Sequence, residues 1–305
     1  MNPAWSVIVF TTVCGAAQGL VVVLAIAQLA GTNVAAPWTR HALLLALVML
    51  VFGLGASFFH LGRPERAWRA MRMWRSSWLS REVIVLPAFI ATVSAWWVLG
   101  SSRPLLLLCL LVAALLWWCT AMIYACLRFI QEWAHPLTLI SFTLIGLSSG
   151  MVLTGTLASA AGDAQLARAL APWALATTLA AMGARWLAQR RNAAIKHKST
   201  LQSATGIQAT RLVQTSMGMS AGAFNTREFF HRATQAAMQR VKVVAPLLAF
   251  ALPALMLMWA QRGDEDGTLP WALALLLQAP GLLADRWLFF AQARHPQNLY
   301  YQVVS

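Results

Sequence analysis

The sequence predicts an all-α polytopic integral membrane protein with eight transmembrane helices, grouped as two four-helix bundles. Three observations carry that expectation. Hydrophobic residues make up 59% of the 305 positions and charged residues 10%, against roughly 25% charged in soluble domains. The apolar residues fall in long blocks almost free of charge, and a helix needs about 20 such residues to cross about 30 Å of hydrocarbon. The basic residues behind the net charge of +14 lie between the blocks, where the positive-inside rule accounts for them without a nucleic-acid partner.

Taken in order, the blocks cover residues 5–31, 41–59, 83–100, 105–127, 136–160, 169–188, 243–261 and 269–290. The first lacks a preceding Lys or Arg and is too long for a signal-peptide core, so it reads as a true span. Ser101-Ser102-Arg103-Pro104 marks the turn between the third and fourth blocks. Two polar segments interrupt the series: a basic interfacial loop at 61–82 and a basic insert at 189–242. Cys14, Cys109, Cys119 and Cys126 show no CxxC spacing and lie in apolar runs, which suits buried small hydrophobes rather than a disulfide framework or a metal site.

An even number of spans puts both termini on one side. That side collects 19 of the 23 Lys and Arg residues, and the other holds Arg40, Arg103, Arg168 and Arg262. The rule weakens for long loops, but leaving out the insert keeps the same sign. The expectation is a bacterial inner-membrane protein with cytoplasmic termini.

The most informative stretch runs from Phe59 to Glu82 and carries six basic residues. Pro64 suits the first turn of a helix. At 100° per residue Trp68, Met71, Trp74 and Trp78 share one arc and Arg66, Arg69 and Arg72 the opposite one. That describes a helix lying in the interface, with membrane lipid on the tryptophan side. Arg75 falls on the apolar arc, where a ligand, a lipid phosphate or a neighbouring helix can meet it. His60 and Glu82 sit at the mouths of the flanking spans. A histidine there suits hydrogen bonding and proton exchange near neutrality. A solvated helix cap and a dipole-favoured first-turn glutamate explain the same two residues equally well.

The run His60-Leu61-Gly62-Arg63-Pro64, followed by Glu82 in Ser80-Arg81-Glu82, resembles the membrane anchor subunits of the dimethyl sulfoxide reductase family. The anchor of cytoplasm-facing sulfite dehydrogenases is the nearest type. Phe224-Asn225-Thr226-Arg227-Glu228-Phe229-Phe230 and the segments at Arg286–Phe290 and Arg294–Tyr301 support the likeness.

The resemblance implies an anchor without its own prosthetic group. It binds a molybdopterin catalytic subunit and a ferredoxin-like subunit with [4Fe–4S] clusters, and exchanges electrons with quinone, either ubiquinone or menaquinone. It places the quinone-site histidine and glutamate at His60 and Glu82, with Arg63, Arg75, Ser76, Trp78, Arg81, Asp285 and Arg286 expected around them. Asp285 and Arg286 stand out independently, because ionisable residues inside a span call for a functional hypothesis, although a helix-packing pair explains them as well. Tyr124 and Arg128 end the fourth block on the same side.

Sidedness favours sulfite oxidation feeding quinone. The alternative is a sulfoxide- or polysulfide-reductase anchor that draws on quinol. A cytochrome b would need axial histidines within spans, whereas all six histidines lie at helix ends or in loops. A stand-alone transporter would show repeats and a charged mid-membrane site, and neither is visible.

Overall fold

The computed structural model describes residues 1–32, 36–59, 63–196, 198–213, 215, 233–262 and 267–300. Within them the chain is helical throughout. The elements are α1 (Trp5–Leu29), α2 (Ala36–Phe58), a 3₁₀ helix (Pro64–Met73), α3 (Trp78–Leu99), α4 (Arg103–Ala125), α5 (Pro136–Ala160), α6 (Ala164–Ala193) and a short α7 (Leu201–Thr205). They continue with α8 (Gln235–Ala260), α9 (Thr268–Ala291) and a terminal 3₁₀ turn (Pro296–Tyr300).

Seven of these helices are long and apolar enough to cross a membrane, against the eight expected from the sequence. The exception is α6. Its 30 residues are rich in alanine, and its ends carry Arg168, Arg190 and Arg191. Arg168, Pro172, Thr177, Thr178 and Arg185 lower its mean hydropathy, yet α6 packs along α5.

Side-chain caps start the helices where the sequence offers them. Ser77 accepts from the Ser80 amide at the start of α3, Asp163 from Leu166 at α6 and Thr234 from Ala237 at α8; each satisfies an amide with no partner inside the helix. Helix α8 contains a π-turn at Leu247–Ala251. Pro253 follows, and with no amide proton it leaves the Ala249 carbonyl without its usual donor. Gln278 on α9 donates to that carbonyl at 3.4 Å.

Helices α1 and α5 form the centre, each with 61% of its apolar window buried. Their backbones nearly touch. A Cβ at Gly19 would lie 2.0 Å from the Gly146 carbonyl oxygen, and one at Gly150 would lie 2.1 Å from the Gly19 carbonyl carbon. Between helices in lipid, small residues permit this approach and van der Waals packing then holds it. Helices α2, α3 and α4 pack on one side of this pair, and α6, α8 and α9 on the other.

Hydrogen bonds between elements define the two ends of the bundle. At one end the Met1 amine donates to the Ala293 carbonyl (3.0 Å), Arg191 to Gln131 (3.0 Å) and the Trp133 indole to Phe289 (3.1 Å). At the other, Trp38 donates to Asp163 (3.3 Å) and Thr268 to the Ser159 carbonyl (3.4 Å). The basic 3₁₀ helix joins α2 and α3 at the first end, as chain order requires.

This connector departs from the arc drawn on the sequence. It is a 3₁₀ helix that stops at Met73, and Trp78 already belongs to α3. At 120° per residue, the three-residue spacing stacks Arg66, Arg69 and Arg72 on one edge and Trp68 and Met71 on another, so the two stripes survive the change of helix type. The Arg72 and Arg69 guanidiniums lie over the Trp68 ring, at 4.9 and 5.6 Å from its centroid.

Candidate functional site

Helix α3 begins at Trp78, ahead of the apolar block, so Glu82 stands inside the helix and only 5% exposed. Thr120 on α4 donates its hydroxyl to Glu82 Oε1. Among the described residues no Lys, Arg or His comes within ion-pair distance of that carboxylate. Tyr124 on α4 and Cys14 on α1 lie within its electrostatic reach.

Of the other expected residues, Arg63, Arg75 and Ser76 are exposed on the connector. Arg75 lies over the neighbouring Trp74 ring at 5.5 Å, and the Ser76 hydroxyl donates back to the Met73 carbonyl at 3.4 Å. Arg81 and Trp78 build the corner. The Arg81 guanidinium donates to the Trp74 and Arg75 carbonyls, each at 2.8 Å, and covers the Trp78 ring at 4.1 Å. Those donors are committed to holding the turn that sets Glu82's depth. His60 lies outside the described residues, as do Leu61, Gly62, the Phe224–Phe230 segment and Tyr301.

Asp285 and Arg286 are 1% and 4% exposed on α9. Asp285 pairs with Arg185 of α6 at 2.8 Å. Arg286 turns the other way, its guanidinium 3.6 Å from the centroid of Phe142 on α5. Phe142 also stacks on Tyr124 at 5.7 Å. Tyr124 is packed edge-on by Trp133, Phe289 and Phe290 as well. Helix α9 thus offers one charged residue to each of two neighbouring compartments.

Sequence reasoning missed three participants: Thr120, Arg185 and the aromatic nest around Tyr124. Thr120 has no signal in an apolar span. Arg185 has one, since it follows Thr178 by a seven-residue step on a helix that faces α5.

A small cleft, with about 10 Å³ of space open to water, lies between the ends of α5, α6 and α9. Glu132, His135, Ser141, Arg185, Arg191 and Phe289 are among its lining residues. His135 caps α5, its Nδ1 accepting from the Leu137 amide at 3.2 Å. Burial, and then the Arg191 charge, hold its imidazole pKa below the usual 6.5. Burial does the same at His295, with the positive N-terminus adding to it.

Comparison with known proteins agrees with this architecture. The family model described as DMSO reductase anchor subunit (DmsC) matches residues 1–291. The C subunit of the Allochromatium vinosum sulfite dehydrogenase is 44% identical in an alignment of 328 positions that spans both proteins in full. The C polypeptide of the Escherichia coli anaerobic dimethyl sulfoxide reductase is 26% identical over 66% of this protein and 73% of its own length. YnfH, a second E. coli polypeptide described as part of an anaerobic dimethyl sulfoxide reductase, is 27% identical over 52% of this protein and 58% of its own length. By the extent of these matches, the protein is a membrane anchor that belongs to the DMSO reductase anchor subunit family.

Proposed function

We propose that this protein is the quinone-reactive anchor of a sulfite dehydrogenase complex, passing electrons from a ferredoxin-like iron–sulfur subunit, served by a molybdopterin subunit, to the quinone pool. The observation that carries the reading is Glu82. It is a carboxylate buried near one end of the bundle, held by a single hydroxyl, beside an aromatic nest, under the connector that carries the exposed arginines. A quinone bound there supplies two-electron, two-proton chemistry. Glu82 Oε1 is fixed by Thr120, which leaves Oε2 to give or take a proton, and His60 is the second proposed partner of the quinone. The nest behind Tyr124 excludes bulk water from that side. The substrate assignment is supported by the match to the sulfite dehydrogenase relative.

In this reading α6 is the eighth span, in two groups of four with α1 and α5 as the seam. Its support is that Trp38 binds its cap Asp163 at one end of the bundle while Arg191 binds Gln131 at the other. The excess of basic residues at the Glu82 end then places that end, with both termini, in the cytoplasm. Trp68 and Trp74 face the lipid headgroups, and the exposed arginines meet the iron–sulfur partner.

The test is quinone-linked turnover of the purified complex. His60→Ala and Glu82→Gln leave it assembled and slow its turnover; normal rates in both variants would remove the two residues from the site. A reporter fused at the C-terminus reads the orientation separately.

A further inference from the structure

Between Phe59 and Arg81 the sequence carries six arginines and a single acidic residue, Glu65. The 3₁₀ connector sorts them into edges, since it has three residues per turn. Ala67 and Ala70 share the first edge, Glu65, Trp68 and Met71 the second, and Arg66, Arg69 and Arg72 the third. Trp74 extends the second edge, because its backbone stays helical (φ −58°, ψ −26°). The two alanines are half-buried and the connector packs on α3, while the second and third edges are exposed. Small residues thus seat the connector on the protein and leave a tryptophan edge and an arginine edge uncovered.

The arginines are tied to the tryptophans. Arg69 and Arg72 both lie over the Trp68 ring, and Arg75 lies over Trp74. An indole face attracts a guanidinium, so these charges stay beside the rings instead of reaching into water. Two guanidiniums on one indole repel each other, and among the described residues no acidic side chain pairs with Arg69, Arg72 or Arg75. Glu65 is engaged by Arg66 at 3.8 Å. A guanidinium stacked on a ring still presents its N–H fork, the shape that takes a phosphate by two hydrogen bonds. The membrane holds phosphates at this depth. The connector joins the ends of two spans, α2 and α3. Arg81 ties its last residues to the start of α3 through the Trp74 and Arg75 carbonyls. Trp68 and Trp74, each about half exposed, are of the residue type that settles among lipid headgroups.

We propose that the connector is a binding element for anionic phospholipid. Trp68, Met71 and Trp74 enter the headgroup layer, and Arg69, Arg72 and Arg75 take headgroup phosphates, the pair on Trp68 forming the tightest site. Lipids of net negative charge are preferred, because basic residues at a membrane surface gain from anionic headgroups, whereas a zwitterionic lipid brings its own cation to the same arginines. Arg63 and Arg66, earlier in the connector, remain for the iron–sulfur partner. The inference rests on the membrane anchoring of the chain and is independent of the quinone-site reading.

The test titrates phosphatidylglycerol or phosphatidylcholine into the full-length protein in a neutral detergent and counts bound lipid by native mass spectrometry. The expected result is tighter binding of phosphatidylglycerol. Arg69→Gln, Arg72→Gln and Arg75→Gln each weaken it about fivefold, the worth of one basic residue at an anionic surface, and phosphatidylcholine binding is unchanged. Trp68→Leu keeps an apolar anchor but removes the ring, and it weakens phosphatidylglycerol as well. All three arginines are exposed, so their variants keep the fold. Arg168→Gln, exposed at the other end of the bundle, removes the same charge and leaves binding as it is. Equal binding of the two lipids by the wild type overturns the proposal, and so does an equal loss in Arg168→Gln, which would make net charge the cause. Wild-type lipid binding in the triple arginine variant, with the cluster-bearing subunit lost from the purified complex, assigns these arginines to the protein partner and overturns it too.

Discussion

Thr120 on α4 donates its hydroxyl to the buried Glu82 carboxylate on α3, and no cation among the described residues stands within ion-pair distance of that carboxylate. A buried carboxylate depends on the few donors it has. Thr120 therefore fixes where Glu82 points, while the Arg81 brace on the preceding turn fixes how deep it lies.

Thr120→Val keeps the shape and removes the donor. The expected outcome is intact assembly with kcat lowered about tenfold and a displaced pH–rate profile, since one hydrogen bond to a charged group is worth about 1.5–3 kcal/mol. Thr120→Ser restores both. Equal kinetics in the valine and serine variants would assign Thr120 to packing alone.

Much of this arrangement was legible in the sequence, for reasons that differ by element. Long apolar blocks announce spans directly, and α6 is the instructive case, where Arg168, Pro172 and Arg185 lower hydropathy without breaking the helix. The arginine and tryptophan stripes of the connector were legible because 3₁₀ and α helices share the i, i+3 neighbour; the helix type was not, for the same reason. Asp285 showed itself as a charge within a span, but its partner is 100 residues away. Pairing at that distance is set by which helices pack, which no local pattern states. Thr120 is polar only at its hydroxyl, and nothing local marks which carboxylate it will meet.

The Arg185–Asp285 pair gives an asymmetric prediction. Asp285→Ala strands a buried guanidinium and should cost about 3–5 kcal/mol, the usual penalty for breaking such a pair. Arg185→Leu combined with Asp285→Leu should recover most of that loss, because leucines suit a buried apolar contact between helices. Thermal unfolding in detergent, run as a double-mutant cycle, measures both. A double variant no more stable than Asp285→Ala would contradict the pairing.

At the α1–α5 crossing, Gly150→Ala forces a methyl group onto the Gly19 backbone. Neither backbone can retreat without parting the two central helices, so a loss of about 1–3 kcal/mol is expected, the range for an overpacked core. Gly183→Ala, where a Cβ meets nothing within 4 Å, is the matched control. It should be neutral or slightly stabilising, since alanine is the better helix former. Melting temperatures of the two variants decide it, and equal values would refute the close approach.

His135 makes the fold sensitive to pH at one place. Its Nδ1 accepts the Leu137 amide, so only an imidazole unprotonated at that nitrogen caps α5. Burial and Arg191 disfavour the protonated form in the folded protein. The folded pKa therefore lies below the unfolded one, and the unfolded polypeptide binds the proton first as pH falls. The stabilisation is complete above the ordinary histidine value of 6.5 and is lost as pH drops from there toward the folded value. His135→Asn keeps a capping oxygen that does not titrate, so it should flatten this part of the stability–pH curve; His135→Ala should lower stability by about 1 kcal/mol at neutral pH. Melting curves of the three proteins between about pH 7.5 and 5, which bracket the ordinary histidine range, read the difference. A wild-type curve that falls no faster than that of the asparagine variant would show that the cap does not respond to protons.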